Sequence, residues 1–404
     1  MSQIIVLAFS PIITRLFDPE VFGLHGFFLS LISVLSPFVA LRLHLAVTIA
    51  KTEIEADQIA SLAIFLGLVT STILAVVLCI GNLIGFSIFG LTKLGWLLWF
   101  LPLALFFIAI RDVIEMRLAR LSQFSVISSS LIVQSLLSNL MRVIGGIFIA
   151  PATIILVLIT SIIPVFHSAI LLWATWQKKY TFPTLSWNNA IILLKRYQDF
   201  PRYRVPTDII GALSQSFPVL MLTWMFSPGV VGFYVLARSV INLPLNIVGG
   251  SIGKVYYSHF ALMYREKRPI FGVVFQATLA HFIFLAVPLL LISPTFPSLF
   301  KVVFGSQWEM AGQYAAWMAM WIAGMLVNIP SVRVLPLVRK QNVHLYFNVL
   351  FSIAGPVAII ASQSQGSHPL AAVAWFSSLM AALYAIQIVF YLGLLYRHET
   401  NHRQ

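Results

Sequence analysis

Apolar runs of about 20 residues recur along nearly the whole chain, and each is long enough to cross about 30 Å of hydrocarbon. Because lipid offers the backbone no hydrogen-bond partner, runs of this kind must form helices. Only 9% of the residues are charged, whereas roughly a quarter are charged in soluble domains. The sequence therefore predicts an all-α polytopic membrane protein, with no stretch that has the composition of a soluble domain.

Proline, glycine and charge patterns divide the apolar sequence into about twelve predicted transmembrane spans. Their predicted extents are 1–15, 22–46, 58–88, 94–117, 125–149, 152–176, 206–227, 229–255, 271–299, 307–332, 341–362 and 369–395. The longest connection, 177–205, contains an amphipathic stretch in which Trp187, Ile191 and Leu194 share one helical face. We interpret this stretch as a helix that lies at the membrane interface.

Lys and Arg residues concentrate in alternate connections between these spans, including the connection 177–205. Such a bias sets the orientation of a membrane protein, so both termini are expected in the cytoplasm. The formal charge of +13 follows mostly from this topology, with anionic membrane lipids as the facing surface. The charge therefore does not indicate a nucleic-acid partner.

One segment recurs in the second half of the chain. Residues 17–23, FDPEVFG, line up with residues 226–232, FSPGVVG, and both join an outgoing span to a returning one. The prolines inside the flanking spans also correspond in pairs, Pro11 with Pro218 and Pro37 with Pro244. A Pro-x-x-x-Gly pattern is ordinary turn chemistry, but equivalent topological positions favour an internal repeat. The four prolines are candidate hinges, because proline opposes a straight helix.

The repeat predicts two pseudo-symmetric six-helix bundles, 1–176 and 206–404, joined by the linker 177–205. Two such halves around a central cavity are the plan of many transporters that work by alternating access.

Five stretches then carry a family resemblance: residues 14–24 (TRLFDPEVFGL), 41–47 (LRLHLAV), 197–203 (YQDFPRY), 214–220 (SQSFPVL) and 232–234 (GFY). On these residues the chain resembles the bacterial polysaccharide flippases (Wzx type) of the MATE/MOP exporter superfamily. The resemblance implies a substrate of undecaprenyl-diphosphate carrying an O-antigen or capsule repeat unit, turned from the inner to the outer leaflet of the cytoplasmic membrane. It also implies no catalytic residue and no cofactor, and it makes the polysaccharide polymerase and chain-length machinery candidate partners.

Arginines are the candidate contacts for an anionic substrate, since a guanidinium binds phosphate in a bidentate manner. Arg142 and Arg238 lie inside predicted spans, where a charge is costly and normally faces a cavity or a partner. Arg15, Arg42 and Arg333 lie at span ends, where the alternative is that they reach toward lipid headgroups.

Asp112 and Asp208 are candidate ion-coupling carboxylates near the cytoplasmic mouth. The alternative for both is simple pairing, with Arg111 and Arg204 respectively. No metal site is expected: Cys79 is the only cysteine, and the spacing of His398 and His402 is explained by a charged terminal tail.

Two other functions stay open. One is a MATE-like, cation-coupled multidrug exporter, although cationic drugs favour buried carboxylates and the deepest charges in this sequence are arginines. The other is a membrane-embedded polysaccharide polymerase or lipid-sugar glycosyltransferase, in which Asp18 and Glu20 would be candidate acids. Such enzymes usually need a sizeable outer loop, and the sequence has no outer connection of that size.

Overall fold

In a computed structural model of the chain, the described residues are 2–84, 90–149, 151–174, 186–266, 268–338, 340–362 and 368–403. The side chains of 244, 246–251, 254 and 401–403 lie outside this description, as does the part of the predicted linker at 177–185. Every regular element among the described residues is a helix. Ten of these helical stretches are long and apolar enough to cross a membrane, and two shorter apolar helices accompany them. The prediction of an all-α polytopic membrane protein is confirmed.

Contact density divides the chain into two units, Met1–Val231 and Gly232–Gln404. The first unit contains α1 (Ser2–Leu16), α2 (Pro19–Leu35), α3 (Glu53–Leu83), α4 (Phe100–Arg120), α5 (Phe124–Phe148), α6 (Thr153–Ala174), α7 (Trp187–Arg196) and α8 (Val205–Met225). Helix α9 (Pro228–Ile241) contains the boundary between the two units. The second unit also contains α10 (Leu243–Arg265), α11 (Phe271–His281), α12 (Val287–Ile292), α13 (Phe296–Phe304), α14 (Glu309–Val334), α15 (Gln341–Ala361) and α16 (Pro369–Arg403). The predicted linker 177–205 separates the two halves of the internal repeat, which is a different criterion from packing. The division into 1–176 and 206–404 therefore stays a prediction.

The core of the first unit is formed by aromatic and aliphatic side chains from α2, α3 and α4, together with the segment Ser36–Ile49 that connects α2 to α3. Phe27 and Phe28 of α2 and Leu43 of the connecting segment are almost completely buried. Helix α8 packs against α2 and against this segment, so it belongs to the first unit. In the second unit α14 is the central helix, since it packs against α10, α11, α13 and α16.

Proline begins the helix in both copies of the predicted repeat. Pro19 is the first residue of α2 and Pro228 is the first residue of α9. This position suits proline, because its missing N–H would be unpaired there in any case and its φ angle is already helical. Each copy therefore has the same local structure, a short turn that leads directly into a helix.

The four candidate hinge prolines occupy two kinds of position. Pro37 lies where α2 gives way to the irregular segment Ser36–Ile49, and Pro244 lies in the first turn of α10, just after α9 ends. Pro11 and Pro218 lie inside the continuous helices α1 and α8. The second and eighth predicted spans are therefore interrupted beside the matched prolines, whereas a hinge role for all four stays a prediction.

Helix α7 lies within the predicted linker. Ser186 caps its N-terminus by accepting a hydrogen bond from the Asn189 N–H. Ala190 and Leu193 are buried against the first unit, whereas Trp187 is 71% exposed. The docked face is thus offset from the apolar face predicted from the sequence, and Trp187 is left on an open side of the helix.

Candidate functional site

The second predicted span is broken by a left-handed turn. Ala40, Leu41 and Arg42 have φ angles of 56°, 48° and 57°, a region that side chains other than glycine rarely adopt. Each such residue costs about 1–3 kcal/mol and persists only where the surroundings impose it. Here Ala40 and Leu43 are almost completely buried, so tight packing on both sides of Arg42 holds the turn.

An ion pair also holds this turn. The Nε of Arg42 lies 2.8 Å from an Oδ of Asp208 on α8, and the side chains are only 20% and 17% exposed. Arg204 approaches the same oxygen at 3.2 Å. Asp208 lies in the first turn of α8, where the helix dipole favours a negative charge. The left-handed turn therefore brings Arg42 to a carboxylate far away in sequence.

His44 lies next to this pair and is 5% exposed. It interacts electrostatically with Asp112, Arg42, Arg111 and Asp208. Its Nδ1 is buried and has no hydrogen-bond partner among the described residues. The sequence motif 41–47 contains His44 but gives it no role: the resemblance marks it only as a departure, at a position where the family often has an acidic residue.

Further charged side chains on α4 and α6 extend this group. We call the whole group the charged cluster, and its members are Arg42, His44, Arg111, Asp112, Glu115, His167, Arg204 and Asp208. Arg111 is 2.6 Å from Asp112 and 3.7 Å from Glu115. Glu115 in turn lies 3.6 Å from Nδ1 of His167, whose Nε2 is 3.0 Å from the hydroxyl of Ser130. Each carboxylate in this cluster thus has a cationic neighbour. Asp112 and Asp208 are paired as the alternative interpretation predicted, while their role in ion coupling stays a prediction.

Arg142 on α5 is in a different situation. Its Nε is buried and has no hydrogen-bond partner in the part of the chain that the structure describes. No ion pair among the described residues includes Arg142, although that part of the chain contains all 12 acidic residues. Among the described residues, Arg142 therefore has no carboxylate partner.

The groups around Arg142 are neutral and polar. It interacts electrostatically with His25 of α2, and Nε2 of His25 lies 2.8 Å from the hydroxyl of Thr160 on α6. One turn before Arg142, Asn139 donates to the carbonyl of Ser135, and its own Oδ1 is buried with no hydrogen-bond partner within the described ranges. His25, Arg142 and Thr160 each lie about two turns, or about 10 Å, from one end of their helix.

The other three candidate arginines lie elsewhere. Arg15 is exposed in the last turn of α1. Arg238 is half-buried on α9, one turn after the buried Tyr234, with which it interacts electrostatically. The exposed Arg333 places its guanidinium against Gly253 of α10, where an added Cβ would lie 2.8 Å from its Nε. The structure groups Arg42, Asp112 and Asp208 in one cluster and keeps Arg142 apart from it within the same unit.

Comparison with known proteins gives a family and a fold. A family model described as a polysaccharide biosynthesis protein matches residues 12–313. No curated protein has a matching sequence. A structure of the lipid II flippase MurJ in an inward closed conformation has a TM-score of 0.75 at 13% identity, over 97% of this chain and 84% of that one.

An inward-facing multidrug resistance MATE family transporter of the MOP superfamily has a TM-score of 0.74 at 13% identity, covering 99% of this chain and 96% of that one. A mutant of a Vibrio cholerae MATE transporter has a TM-score of 0.52 at 14% identity, with coverage of 99% and 92%. The predicted MATE/MOP-like fold is confirmed by these structures.

Proposed function

Because the chain belongs to the polysaccharide biosynthesis protein family, we propose that it flips undecaprenyl-diphosphate-linked oligosaccharide repeat units. The direction would be from the inner to the outer leaflet of the bacterial cytoplasmic membrane, by alternating access. In this proposal the oligosaccharide and diphosphate pass through a hydrated path inside the protein, while the prenyl tail stays in lipid. Such transport needs cationic groups within the membrane and no catalytic residue or cofactor.

The observation that carries the proposal is Arg142. A guanidinium inside a span costs at least about 2.5–3.5 kcal/mol on insertion scales, so a compensating interaction is required. The neutral groups His25 and Thr160 cannot supply the opposite charge. A diphosphate can, through short charge-assisted hydrogen bonds that are stronger in a partly dehydrated site than in water.

The remaining arginines have secondary roles in the proposal. Arg42 already has a carboxylate, Asp208, so it would meet the substrate only when that pair opens. Arg238, Arg15 and Arg333 are proposed as further contacts along the anion path. Asp208 and Asp112 are proposed as the groups that couple transport to an ion, because protonation of Asp208 would release Arg42.

The drug-exporter alternative has the same fold, so the fold does not distinguish it from the proposed flippase. The carboxylates of the charged cluster favour the flippase, because each of them has a cationic neighbour and none is left for a cationic drug. For the enzyme alternative, Asp18 precedes α2 and Glu20 lies in its first turn. Both positions are common for acidic residues at helix N-termini, so neither needs a catalytic explanation.

Glycan display in a flippase-null strain tests the proposal, with protein levels in the membrane checked for each variant. We expect Arg142→Ala to reduce display at least tenfold, because the charge that faces the diphosphate is lost. Arg142→Lys should reduce it less, since the charge remains but the bidentate geometry is lost. Arg268→Ala is the matched control, because Arg268 is 64% exposed and, among the described residues, its ion pair is with Glu266. Full display by an Arg142→Ala protein that inserts normally would exclude this arginine as the substrate contact.

A further inference from the structure

Helix α14 has a proline in its interior, at Pro330. Proline has no N–H, so the carbonyl oxygen of Leu326, four residues earlier, loses its partner within the helix. The proline ring also pushes this carbonyl aside and opposes a straight helix. An unpaired carbonyl is strongly unfavourable inside a membrane, so a donor must come from another helix.

His281, the last residue of α11, supplies this donor. Its Nδ1 lies 2.7 Å from the carbonyl oxygen of Leu326. A carbonyl can only accept, so Nδ1 carries the proton and donates it. Nε2 lies 3.1 Å from the hydroxyl of Tyr256 on α10, which serves as its second hydrogen-bond partner. Two partners thus fix the orientation and the tautomer of a side chain that is only 5% exposed.

The same turn of α14 makes further polar contacts with both neighbouring helices. Asn328 donates to the side-chain oxygen of Gln387 on α16 at 2.6 Å. The hydroxyl of Ser331 lies 3.3 Å from that of Thr278 on α11. All four side chains are buried. The turn around Pro330 is therefore tied to α11 on one side and to α16 on the other.

Helix α11 also departs from regular geometry at this point. The segment Phe282–Ala286, directly after His281, is π-helical, a widened form that is rare and frequent at functional sites. The π-helical segment thus begins directly after the residue that links α11 to the turn around Pro330. Kinks at proline and π-bulges are positions at which helices change their bend.

We propose that His281 is a positioning residue that fixes the conformation of α14 around Pro330, by holding the Leu326 carbonyl that the proline leaves unpaired. A proline inside a helix is a position at which the helix can change its angle as the protein changes state, and the hydrogen bond from His281 would stabilise one such angle. The consequence for transport rests on the proposed function. The link between His281 and Pro330 does not, and it can be measured separately.

A double-mutant cycle on the purified full-length protein tests that link by thermal unfolding. His281→Leu should lower the melting temperature by about 3 °C, because a buried carbonyl loses its donor. In a Pro330→Ala background, where residue 330 again has an N–H, the same change should cost about 1 °C or less. Pro330→Gly restores the same N–H and serves as a second background. An equal loss with and without Pro330 would overturn the proposal.

Rescue by a conservative variant separates positioning from simple packing. The side-chain amide of Asn places an N–H near the position of Nδ1, so His281→Asn should keep most of the stability and of the glycan display. The double variant with His281→Leu and Pro330→Ala should regain stability but not display, because it lacks both the proline in α14 and the side chain that holds the Leu326 carbonyl. His259, which is exposed on α10, provides a control, and His259→Asn should change neither.

The two claims fail in different ways. If the wild-type protein gives no display while the cycle shows coupling, the proposed function is wrong and the positioning role stands. If display is normal but His281→Asn is no better than His281→Leu in either assay, the positioning role is wrong.

Discussion

Arg42 and Arg142, both in the first unit, differ in whether a carboxylate balances their charge. Arg42 meets Asp208 at 2.8 Å and shares it with Arg204, so its charge is balanced within the protein. Among the described residues Arg142 has no ion pair, and it interacts electrostatically with His25. In the proposed function, Arg42 therefore belongs to the resting structure and Arg142 is the substrate contact.

Removing the carboxylate of Asp208 tests the balanced pair. Asp208→Asn should destabilise the protein by about 2 kcal/mol, because two guanidiniums then face each other without a counter-charge in a mostly buried site. Chemical denaturation of the purified protein measures this change. Glu266→Gln is the matched control, since Glu266 is 48% exposed and its pair with Arg268 should contribute almost nothing. Similar stabilities for the two variants would mean that the Arg42–Asp208 pair does not hold the turn.

At the scale of an element, the left-handed turn in the second span is the least regular feature of the first unit. Regular helices leave no backbone group unpaired in lipid, so an interruption must be compensated by its surroundings. Ala40 has no exposed surface, and the turn around it is packed against α3 and α4. Packing against α3 and α4 therefore stabilises the interrupted backbone.

Two alanines of this segment provide a matched test of its conformation. Ala40 and Ala46 are both fully buried, but only Ala40 has a positive φ angle. Glycine relieves strain at a positive φ angle, whereas elsewhere in a helix it costs about 0.5–1 kcal/mol relative to alanine. We expect Ala40→Gly to be more stable than Ala46→Gly by about 1 kcal/mol in chemical denaturation. The opposite order would contradict the left-handed turn.

The helical, multi-span character could be predicted because hydrocarbon thickness fixes how long an apolar run must be. The sequence predicts about twelve spans, whereas among the described residues ten helical stretches are long and apolar enough to span, and two further apolar helices are shorter. Interruptions near Pro37 and Pro244 followed from the chemistry of proline. The left-handed turn could not be predicted, since Ala40, Leu41 and Arg42 include no glycine and the turn is imposed by packing and by a distant carboxylate. His281 was missed for a similar reason: the carbonyl that it holds belongs to another helix.

The orientation of the whole molecule follows from its Lys and Arg distribution and stays a prediction. Ser122, in the turn between α4 and α5, and Ser227, in the turn between α8 and α9, are both exposed. Cysteines placed there one at a time, with Cys79 replaced by serine, can be labelled in intact cells. Ser122→Cys should react only from the cytoplasmic side and Ser227→Cys only from outside. Labelling of Ser122→Cys from outside would reverse the topology.

The most direct test of the central claim is a flipping assay in sealed vesicles with a fluorescent undecaprenyl-diphosphate-linked oligosaccharide in both leaflets. Each vesicle preparation would contain wild-type protein, the Arg142→Ala variant or no protein, and a membrane-impermeant reagent would report how fast the inner pool reaches the outer leaflet. We predict fast exchange with the wild-type protein, at least tenfold slower exchange with Arg142→Ala, and no acceleration of a cationic dye by either protein. Equal rates in wild-type and protein-free vesicles, with the reconstituted protein shown to be folded, would contradict the flippase assignment.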